Sequence, residues 1–206
     1  NIKYILLTHG HLDHFGGAAK IQKLTGARVG LSGADWDFME MGAKARPPKP
    51  GDEPPARDLV LKEGDTVKLG DTTLKVSIGP GHTPGSVNYE FTGRDGGKNY
   101  KAFVFGGPGP RNGVAGGTEF LATIQRLEKD YADVQVPVHV HSYLNSYPYP
   151  NGGILERRDM KAKSPNGPNP FVDNASWRQW LKQAHEGAVK YIADEKAKAA
   201  KPASSN

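Results

Sequence analysis

The sequence predicts an α/β fold in which helices cover both faces of a β-rich centre. Segments with the strand period alternate with segments of helical period along the 206 residues, which is typical of layered α/β proteins. Hydrophobic residues make up 36% of the chain, enough for a substantial core. The 26 glycines and 16 prolines indicate many shaped turns and disfavour a simple helical bundle. We expect one domain over residues 1–195, followed by a frayed tail over residues 196–206.

The first part of the chain is predicted to begin with a strand and to end in a loop. Residues 2–8 form a continuous apolar run rich in β-branched side chains, which predicts a buried strand. The next predicted elements are a helix over 16–26 that ends at Gly26, a short strand over 27–32, a short helix over 34–42 with Asp35 near its start, and a surface loop over 43–57. Five prolines and the lack of an apolar period indicate the loop.

The later part of the chain is predicted to be β-rich first and helical at its end. Turn signals at Gly64 and Gly70 divide a β-rich block over 58–79. The elements that follow are a hairpin over 86–107 that turns through 94–98, an amphipathic helix over 118–132, a strand over 133–141, a loop reaching about residue 153, and a long helix from about residue 176. Asp173 or Asn174 lies where a residue that caps this last helix belongs.

Composition and charge narrow the possible functions. The net charge is +5, but the basic residues are spread along the chain, which is a weak indication of nucleic-acid binding. No apolar run approaches the roughly 20 residues that a membrane helix needs. We therefore expect a small-molecule substrate, and neither a nucleic acid nor a membrane as partner. The chain has no cysteine, so any bound metal must be held by nitrogen and oxygen ligands.

A dense group of imidazoles and one carboxylate follows the first predicted strand. His9 and His11 are two residues apart at the end of that strand, and this spacing directs both rings to one point. The chain then turns, so Asp13 and His14 can project to a second point beside the first. Neutral imidazole suits zinc, and a carboxylate can complete the ligand set. The spacing therefore predicts a metal site.

Further ligands must come from the four remaining histidines, because a zinc ion takes four ligands. His82 lies in a glycine- and proline-shaped loop between two predicted strands, where a rigid turn can direct its ring, and it is the favoured candidate. Of His139 and His141, which end a strand, one is expected to be a ligand and the other a neighbour. His185 lies among polar positions of the last helix and is interpreted as a surface residue.

These residues carry a resemblance to a known family. Residues 9–14 resemble the His-x-His-x-Asp-His signature of the metallo-β-lactamase superfamily, and residues 81–89 match a second motif of that superfamily. The finer match is to the third subclass of metallo-β-lactamases, over residues 58–86 and again over residues 167–173. The resemblance covers roughly residues 2–195. It implies an αββα sandwich with a two-zinc site at the sheet edge.

The resemblance also implies a ligand set and an activity. The first zinc would be held by His9, His11 and His82, and the second by Asp13, His14 and His139, with His141 in reserve. The implied reaction is opening of a β-lactam ring by attack of a zinc-bound hydroxide on the amide carbonyl, with Asp13 orienting the hydroxide. Two alternatives remain open, namely hydrolysis of another ester, lactone or amide, and an inactive truncated module. A periplasmic or secreted location follows from the resemblance alone.

The chain departs from the family pattern in two places. The family has a run of strands before the histidine-rich strand, whereas this chain starts at that strand. We therefore expect a fold that is incomplete at its amino terminus, in which missing strands or a partner chain complete the sandwich. Gly106 and Gly107 stand where many superfamily hydrolases have a metal-bridging aspartate and where the third subclass often has a serine that helps to bind substrate. The missing aspartate disfavours a glyoxalase-like or lactonase-like site.

Overall fold

The computed structural model describes residues 1–139 and 153–200. Eight strands and six helices lie in these ranges. They are β1 (Tyr4–Leu6), α1 (Leu12–Phe15), α2 (Ala18–Thr25), β2 (Arg28–Ser32), α3 (Gly33–Ala45), β3 (Leu59–Leu61), β4 (Thr66–Leu69), β5 (Thr72–Ile78), β6 (Val87–Asp95), β7 (Lys98–Phe105), α4 (Gly113–Asp130), β8 (Val136–His139), α5 (Ile154–Lys163) and α6 (Asn174–Ala199).

The strands form two sheets with different topologies. The first sheet has the order β1-β2-β3 and is parallel throughout. The second has the order β4-β5-β6-β7-β8, and it is antiparallel except for the parallel pair of β7 and β8. Helices α2 and α3 contact the first sheet, and α6 contacts β8 of the second and packs along α4. The architecture is therefore the αββα sandwich that the resemblance implies.

Two hydrophobic clusters hold these layers together. The first joins side chains of the early strands and helices, such as Leu31 and Trp36, to Val76 and Tyr89 from the inner face of the second sheet. The second packs the outer face of β7 against α4 and α6, and its members are Phe103, Phe105, Phe120, Ile124, Leu127, Tyr131, Val134, Trp177, Trp180, Leu181 and Ala188. Alternate residues of β7 serve the two clusters, since successive side chains of a strand point to opposite faces.

The two sheets are joined by hydrogen bonds just after β1. The amide of Val87 donates to the carbonyl of Thr8 over 2.7 Å, so the chain leaving β1 is bonded to the start of β6. The buried hydroxyl of Tyr89 donates to the carbonyl of Leu7, also over 2.7 Å. These bonds fix the backbone that leads into the histidine-rich turn.

Several predicted elements are confirmed in place and kind. Helix α2 ends at Gly26, which adopts the left-handed conformation with φ 66°. The hairpin of β6 and β7 turns through Gly96 and Gly97, both with positive φ. Asp173 caps α6, because its carboxylate accepts a hydrogen bond from the amide of Ser176.

Other elements differ from the predictions. Strand β1 is half-buried because it is an edge strand of the described sheet, with β2 on one side only. Strand β3, expected within the β-rich block, pairs instead with β2 of the first sheet. Helix α3 extends to Ala45, into the predicted loop, and α6 extends past residue 195 to Ala199. Residues 201–206 of the predicted tail lie outside the described residues.

Helix α5 is absent from the sequence prediction because it carries no apolar stripe. Its sequence is rich in charged residues, and its buried side chain is that of Arg157. The Arg157 guanidinium donates to the buried carboxylate of Asp173 over 2.8 Å and to the carbonyl of Pro170 over 2.9 Å. A buried ion pair therefore attaches α5 to the start of α6. No helix within residues 1–139 and 153–200 is both long enough and apolar enough to cross a membrane.

We expect Arg157→Met to lower the free energy of unfolding by roughly 3 kcal/mol, because the buried Asp173 carboxylate loses its guanidinium partner. Urea denaturation followed by circular dichroism measures this change. The matched control is Arg158→Met on the same helix, where the side chain is 66% exposed and the expected change is below about 0.5 kcal/mol. Equal effects of the two substitutions would show that the ion pair does not stabilise the fold.

Candidate metal centre

Three histidines from two segments meet at one end of the sandwich. His9 comes directly after Thr8, the residue after β1 whose carbonyl is bonded to Val87, and His11 occupies the position before the first residue of α1. His82 lies in the turn between β5 and β6. The ligand nitrogens of the three side chains all lie within 4.8 Å of one another. The structure therefore brings together His9, His11 and His82, and their role as metal ligands stays a prediction.

The rings are arranged around a common point rather than stacked. The ring centroids of His9 and His11 are 4.9 Å apart, those of His9 and His82 are 4.7 Å apart, and those of His11 and His82 are 5.0 Å apart. Each pair is nearly perpendicular, with interplanar angles of 88°, 86° and 88°. Three imidazoles directed at one point are a suitable first set of ligands for a tetrahedral metal ion.

The electrostatics of the cluster keep these imidazoles neutral. Burial, with smaller effects from the neighbouring imidazoles of His14, His82 and His11, lowers the pKa of His9 to about 2. Burial likewise lowers the pKa of His82 to about 4 and lowers the pKa of His11, and the positive charge of Arg111 adds to both shifts. A metal ligand must be a neutral imidazole, so this environment favours metal binding at neutral pH.

Hydrogen bonds to the outer ring nitrogens orient two of the rings. Nδ1 of His82 donates to the carbonyl of Gly109 over 2.8 Å, which leaves Nε2 as the acceptor nitrogen. Nδ1 of His9 lies 3.1 Å from the hydroxyl of Thr8. Nε2 of His9 is buried and has no hydrogen-bond partner among the described residues. A buried unpaired nitrogen is costly unless something else satisfies it, and a zinc ion at the centre of the three rings fits that requirement.

The structure places Asp13 and His14 beside this cluster. The ring of His14 lies 4.0 Å from the ring of His9, measured between centroids. Nε2 of His14 is 3.4 Å from a carboxylate oxygen of Asp13, whose side chain is 69% exposed. The pair therefore lies at the open side of the centre, and its role as ligands of a second zinc stays a prediction.

The structure gives different information on the three remaining histidines. His139 is the last residue of β8, where its backbone pairs with Phe105 at the same end of the second sheet as Gly106. His141 lies outside the described residues. His185 is half-buried and its Nδ1 lies 3.0 Å from Glu128, so α4 and α6 share this contact. The choice between His139 and His141 as a ligand therefore stays a prediction.

Polar side chains beside the cluster form a hydrogen-bond network. Thr8 contacts His9, and the hydroxyl of Thr83 donates to the carboxylate of Asp35 over 2.7 Å. Asp35 was expected only near a helix start, but its carboxylate is fully buried beside the histidine-bearing segments. The sequence signal for this role was a charged residue three positions after the end of a buried strand and near a helix start.

The glycines after β7 are sterically required. A Cβ atom at Gly106 would lie 2.2 Å from the carbonyl oxygen of Val87, and one at Gly107 would lie 2.6 Å from Cβ of His82. Neither position therefore accepts a side chain without a movement of the backbone or of His82. The backbone at this point excludes the bridging aspartate that many superfamily hydrolases have there.

A cavity of about 520 Å³ opens next to His11. Its walls come from the histidine-rich turn, from α3 and from the proline-rich loop that follows α3. The lining side chains are mostly apolar, with Arg46 and Lys49 as the basic ones. They are Leu12, Phe15, Phe38, Met39, Ala43, Arg46, Pro47, Pro48, Lys49, Asp52 and Pro54. The size suits part of a small organic molecule.

Comparison with known proteins confirms the resemblance. Residues 1–96 match the family model of the metallo-beta-lactamase superfamily. Among curated proteins, the hydroxyacylglutathione hydrolase of Anaeromyxobacter dehalogenans is 40% identical over 92 residues, which are 45% of this chain and 30% of the relative. The enzyme of the same name from Pseudomonas putida is 42% identical over 86 residues, or 41% of this chain and 26% of that protein. The matched segment thus spans less than a third of these relatives.

Solved structures match over nearly the whole chain. A subclass B3 metallo-beta-lactamase of Bradyrhizobium japonicum is 29% identical, with a TM-score of 0.77, and the match covers 96% of this chain and 75% of that one. A metallo-beta-lactamase from Legionella gormanii has the same TM-score at 22% identity, covering 94% and 75% of the two chains, and shows the common fold. The chain therefore has the fold of the metallo-β-lactamases, and its first 96 residues match the family model of that superfamily.

We expect the metal-free protein to lose stability as the pH falls from about 7 to about 5. His9 and His82 stay neutral when folded but take up protons near pH 6.5 when unfolded, so acid favours the unfolded chain. The loss should reach roughly 2 kcal/mol or more over this range. Urea denaturation of chelator-treated protein at several pH values measures it.

The control for this pH dependence is His82→Asn, which removes one of the two titrating groups and should reduce the slope of stability against pH. A slope that is unchanged by this substitution would contradict the assignment of the effect to the cluster.

Proposed function

We propose that this chain forms the catalytic site of a zinc-dependent hydrolase that opens β-lactam rings. The observation that carries the proposal is the group of three neutral, converging imidazoles, together with the buried Nε2 of His9, which has no hydrogen-bond partner among the described residues. The likeness of nearly the whole chain to subclass B3 metallo-β-lactamases supports the choice of a β-lactam substrate. A periplasmic or secreted location is part of the same proposal and is supported by that likeness.

Two zinc ions per chain are proposed. His9, His11 and His82 would hold the first, and Asp13, His14 and His139 would hold the second, with His141 in place of His139 as the reserve. When bound, zinc supplies a Lewis acid that polarises a carbonyl group and lowers the pKa of a coordinated water to about 7. This chemistry needs no nucleophilic side chain, and the chain has no cysteine to supply a thiolate.

The residues of the chain have separate tasks in this proposal. The hydrogen bond from His82 to Gly109 keeps the ring in one tautomer, with its free nitrogen directed at the cluster. The exposed carboxylate of Asp13 can accept a hydrogen bond from a water at the open side of the centre and so orient that water towards the substrate carbonyl. Asp13 would thus be catalytic as well as a ligand.

The cavity beside His11 is the proposed space for the substituent on the scissile amide. Its walls are mostly apolar, and Arg46 and Lys49 are positively charged. Burial of an apolar group of the substrate against Phe38 and Leu12 would stabilise the complex by about 25 cal/mol for each Å² removed from water. A substrate with a bulky apolar acyl substituent suits this space best.

The alternative function is hydrolysis of a thioester such as a hydroxyacylglutathione, or of another ester, lactone or amide. The names of the curated relatives favour it, but those matches are confined to less than half of this chain. Gly106 and Gly107 disfavour it, because the backbone there leaves no room for a bridging carboxylate. An inactive truncated module is the third possibility.

We expect zinc-loaded protein to hydrolyse a chromogenic cephalosporin and to act at least about tenfold more weakly on a hydroxyacylglutathione thioester. Absorbance assays measure both reactions as kcat/KM. A chelator should abolish turnover, and Asp13→Ala should lower kcat by about 100-fold or more, since the substitution removes a ligand and the group that orients water.

The two alternatives give distinct results in the same assays. Preferential turnover of the thioester would replace the proposed function by the thioesterase function. A zinc-loaded, full-length protein that hydrolyses neither substrate would support the inactive module.

We expect Gly42→Trp to fill the cavity beside His11 and to lower kcat/KM for a cephalosporin with a bulky acyl substituent relative to one with a small substituent. A Cβ at Gly42 meets no atom within 4 Å, so a side chain can begin at this position without a backbone clash, and the position lines the cavity. Tryptophan has a higher helix propensity than glycine, so the substitution should not weaken the last turn of α3, and loss of the helix does not explain the change.

The matched control for the cavity is Lys44→Trp, which adds the same side chain on α3 at an exposed position that does not line the cavity. This control should leave the selectivity ratio as it is in the unmodified protein. Equal shifts in both variants would show that the cavity does not bind the acyl group.

A further inference from the structure

The carboxylate of Asp35 is the most unusual buried charge near the metal centre. The residue is 0% exposed in the first turn of α3, and among the described residues no lysine or arginine forms an ion pair with it. A buried carboxylate without a cation is costly unless hydrogen bonds compensate for the loss of water. Its partners therefore indicate why it is there.

Three hydrogen bonds converge on this carboxylate, and they come from both histidine-bearing segments. The amide of Gly10, which lies between two of the cluster histidines, donates to Oδ2 over 2.8 Å. The hydroxyl of Thr83, the residue after His82, donates to the same oxygen over 2.7 Å. The amide of Gly85 donates to Oδ1 over 2.6 Å. One side chain thus connects two segments that lie more than 70 residues apart in the sequence.

Both segments lie so close to the Asp35 turn that only glycine fits. A Cβ atom at Gly10 would lie 2.9 Å from the carbonyl oxygen of Asp35, and one at Gly85 would lie 2.3 Å from the hydroxyl of Ser32. The three segments therefore have little freedom to change their separation. Their fixed spacing is what brings the nitrogens of the three histidines within 4.8 Å.

We propose that Asp35 is a positioning residue for the three-histidine centre, setting the distance between the His9–His11 turn and the His82 turn and placing a negative charge behind the bound cation. The inference rests on the metal site of the proposed function. Asp35 does not contact the metal in this proposal. It acts through backbone next to the ligands, and its negative charge partly neutralises a cation that three uncharged rings leave without a counter-charge.

The decisive variant is Asp35→Asn in the full chain. The amide has the shape of the carboxylate, but all three partners are donors, so its NH2 group must face an N–H or O–H group. We expect the dissociation constant for zinc, measured by competition with a chromophoric chelator, to rise by roughly 10–100-fold. The visible spectrum of the cobalt-substituted protein, which reports ligand geometry, should change as well.

Ser32→Ala is the matched control. Ser32 is buried at the end of β2, where its hydroxyl accepts a bond from the Asp35 amide over 3.2 Å and donates to the carbonyl of Gly85 over 2.5 Å, but it has no bond to the His9–His11 turn. We expect this variant to lower the melting temperature while it leaves the zinc dissociation constant within about threefold and the cobalt spectrum unchanged. Equal weakening of zinc binding in both variants would overturn the proposal, as would unchanged binding in Asp35→Asn.

A second pair of variants serves if Asp35→Asn does not fold. Thr83→Val removes the hydroxyl donor to Asp35, whereas Thr83→Ser keeps it. We expect weaker zinc binding and an altered cobalt spectrum for the first and values near those of the unmodified protein for the second. Identical zinc affinity in the two variants would overturn the positioning role.

Zinc binding and cobalt spectra need no substrate, so they separate this inference from the proposed function. Tight zinc binding that depends on Asp35, in a protein that hydrolyses no substrate, would retain the inference and contradict the hydrolase. Failure of the unmodified chain to bind zinc would overturn the positioning role and the metal site together.

Discussion

The hydrogen bond between Thr8 and Val87 is the joint on which the arrangement of the centre depends. It connects the chain leaving β1 of the first sheet to the start of β6 in the second. A second bond, from the Tyr89 hydroxyl to the carbonyl of Leu7, links the sheets at the neighbouring residue. Because the backbone is fixed there, His9 enters the space between the sheets and is fully buried. The desolvation that lowers the pKa of its imidazole is thus a result of how the two sheets meet.

The centre combines a rigid buried half with an open half. His9 and His82 are buried, and their outer nitrogens contact Thr8 and Gly109, so their rings are fixed before any ligand arrives. Asp13 is exposed beside His14, at the side from which solvent and substrate can approach. Such a division suits a hydrolytic site, because metal binding requires preorganised ligands and turnover requires access.

The sequence was most informative where function and structure depend on local spacing. The alternation of strand residues predicts that His9 and His11 point the same way, and the left-handed conformation available to glycine predicts the end of α2 at Gly26. The fold class followed from the order of such segments. The interactions that the sequence did not reveal are those between distant residues. Asp35 bonds to partners 25, 48 and 50 residues away, and no local pattern reports such contacts.

Two errors in the predicted elements have related causes. A short apolar run such as Leu59–Leu61 indicates a strand but not the sheet that it joins, since both sheets bury apolar residues. Helix α5 packs through the ion pair of Arg157 rather than through an apolar stripe, so its sequence has no hydrophobic period that predicts a helix. In both cases the element depends on a contact with a residue distant in the sequence, which local patterns do not indicate.

The two glycines after β7 have a consequence for how this chain can evolve. A single base substitution converts some glycine codons to aspartate, so the genetic code alone does not prevent the change. At Gly106, however, the new side chain would begin 2.2 Å from the Val87 carbonyl oxygen, beside the joint between the sheets. A lineage could reach a carboxylate-bridged centre only after its backbone had first moved apart at β6. The obstacle to a carboxylate at this point is therefore the position of the backbone.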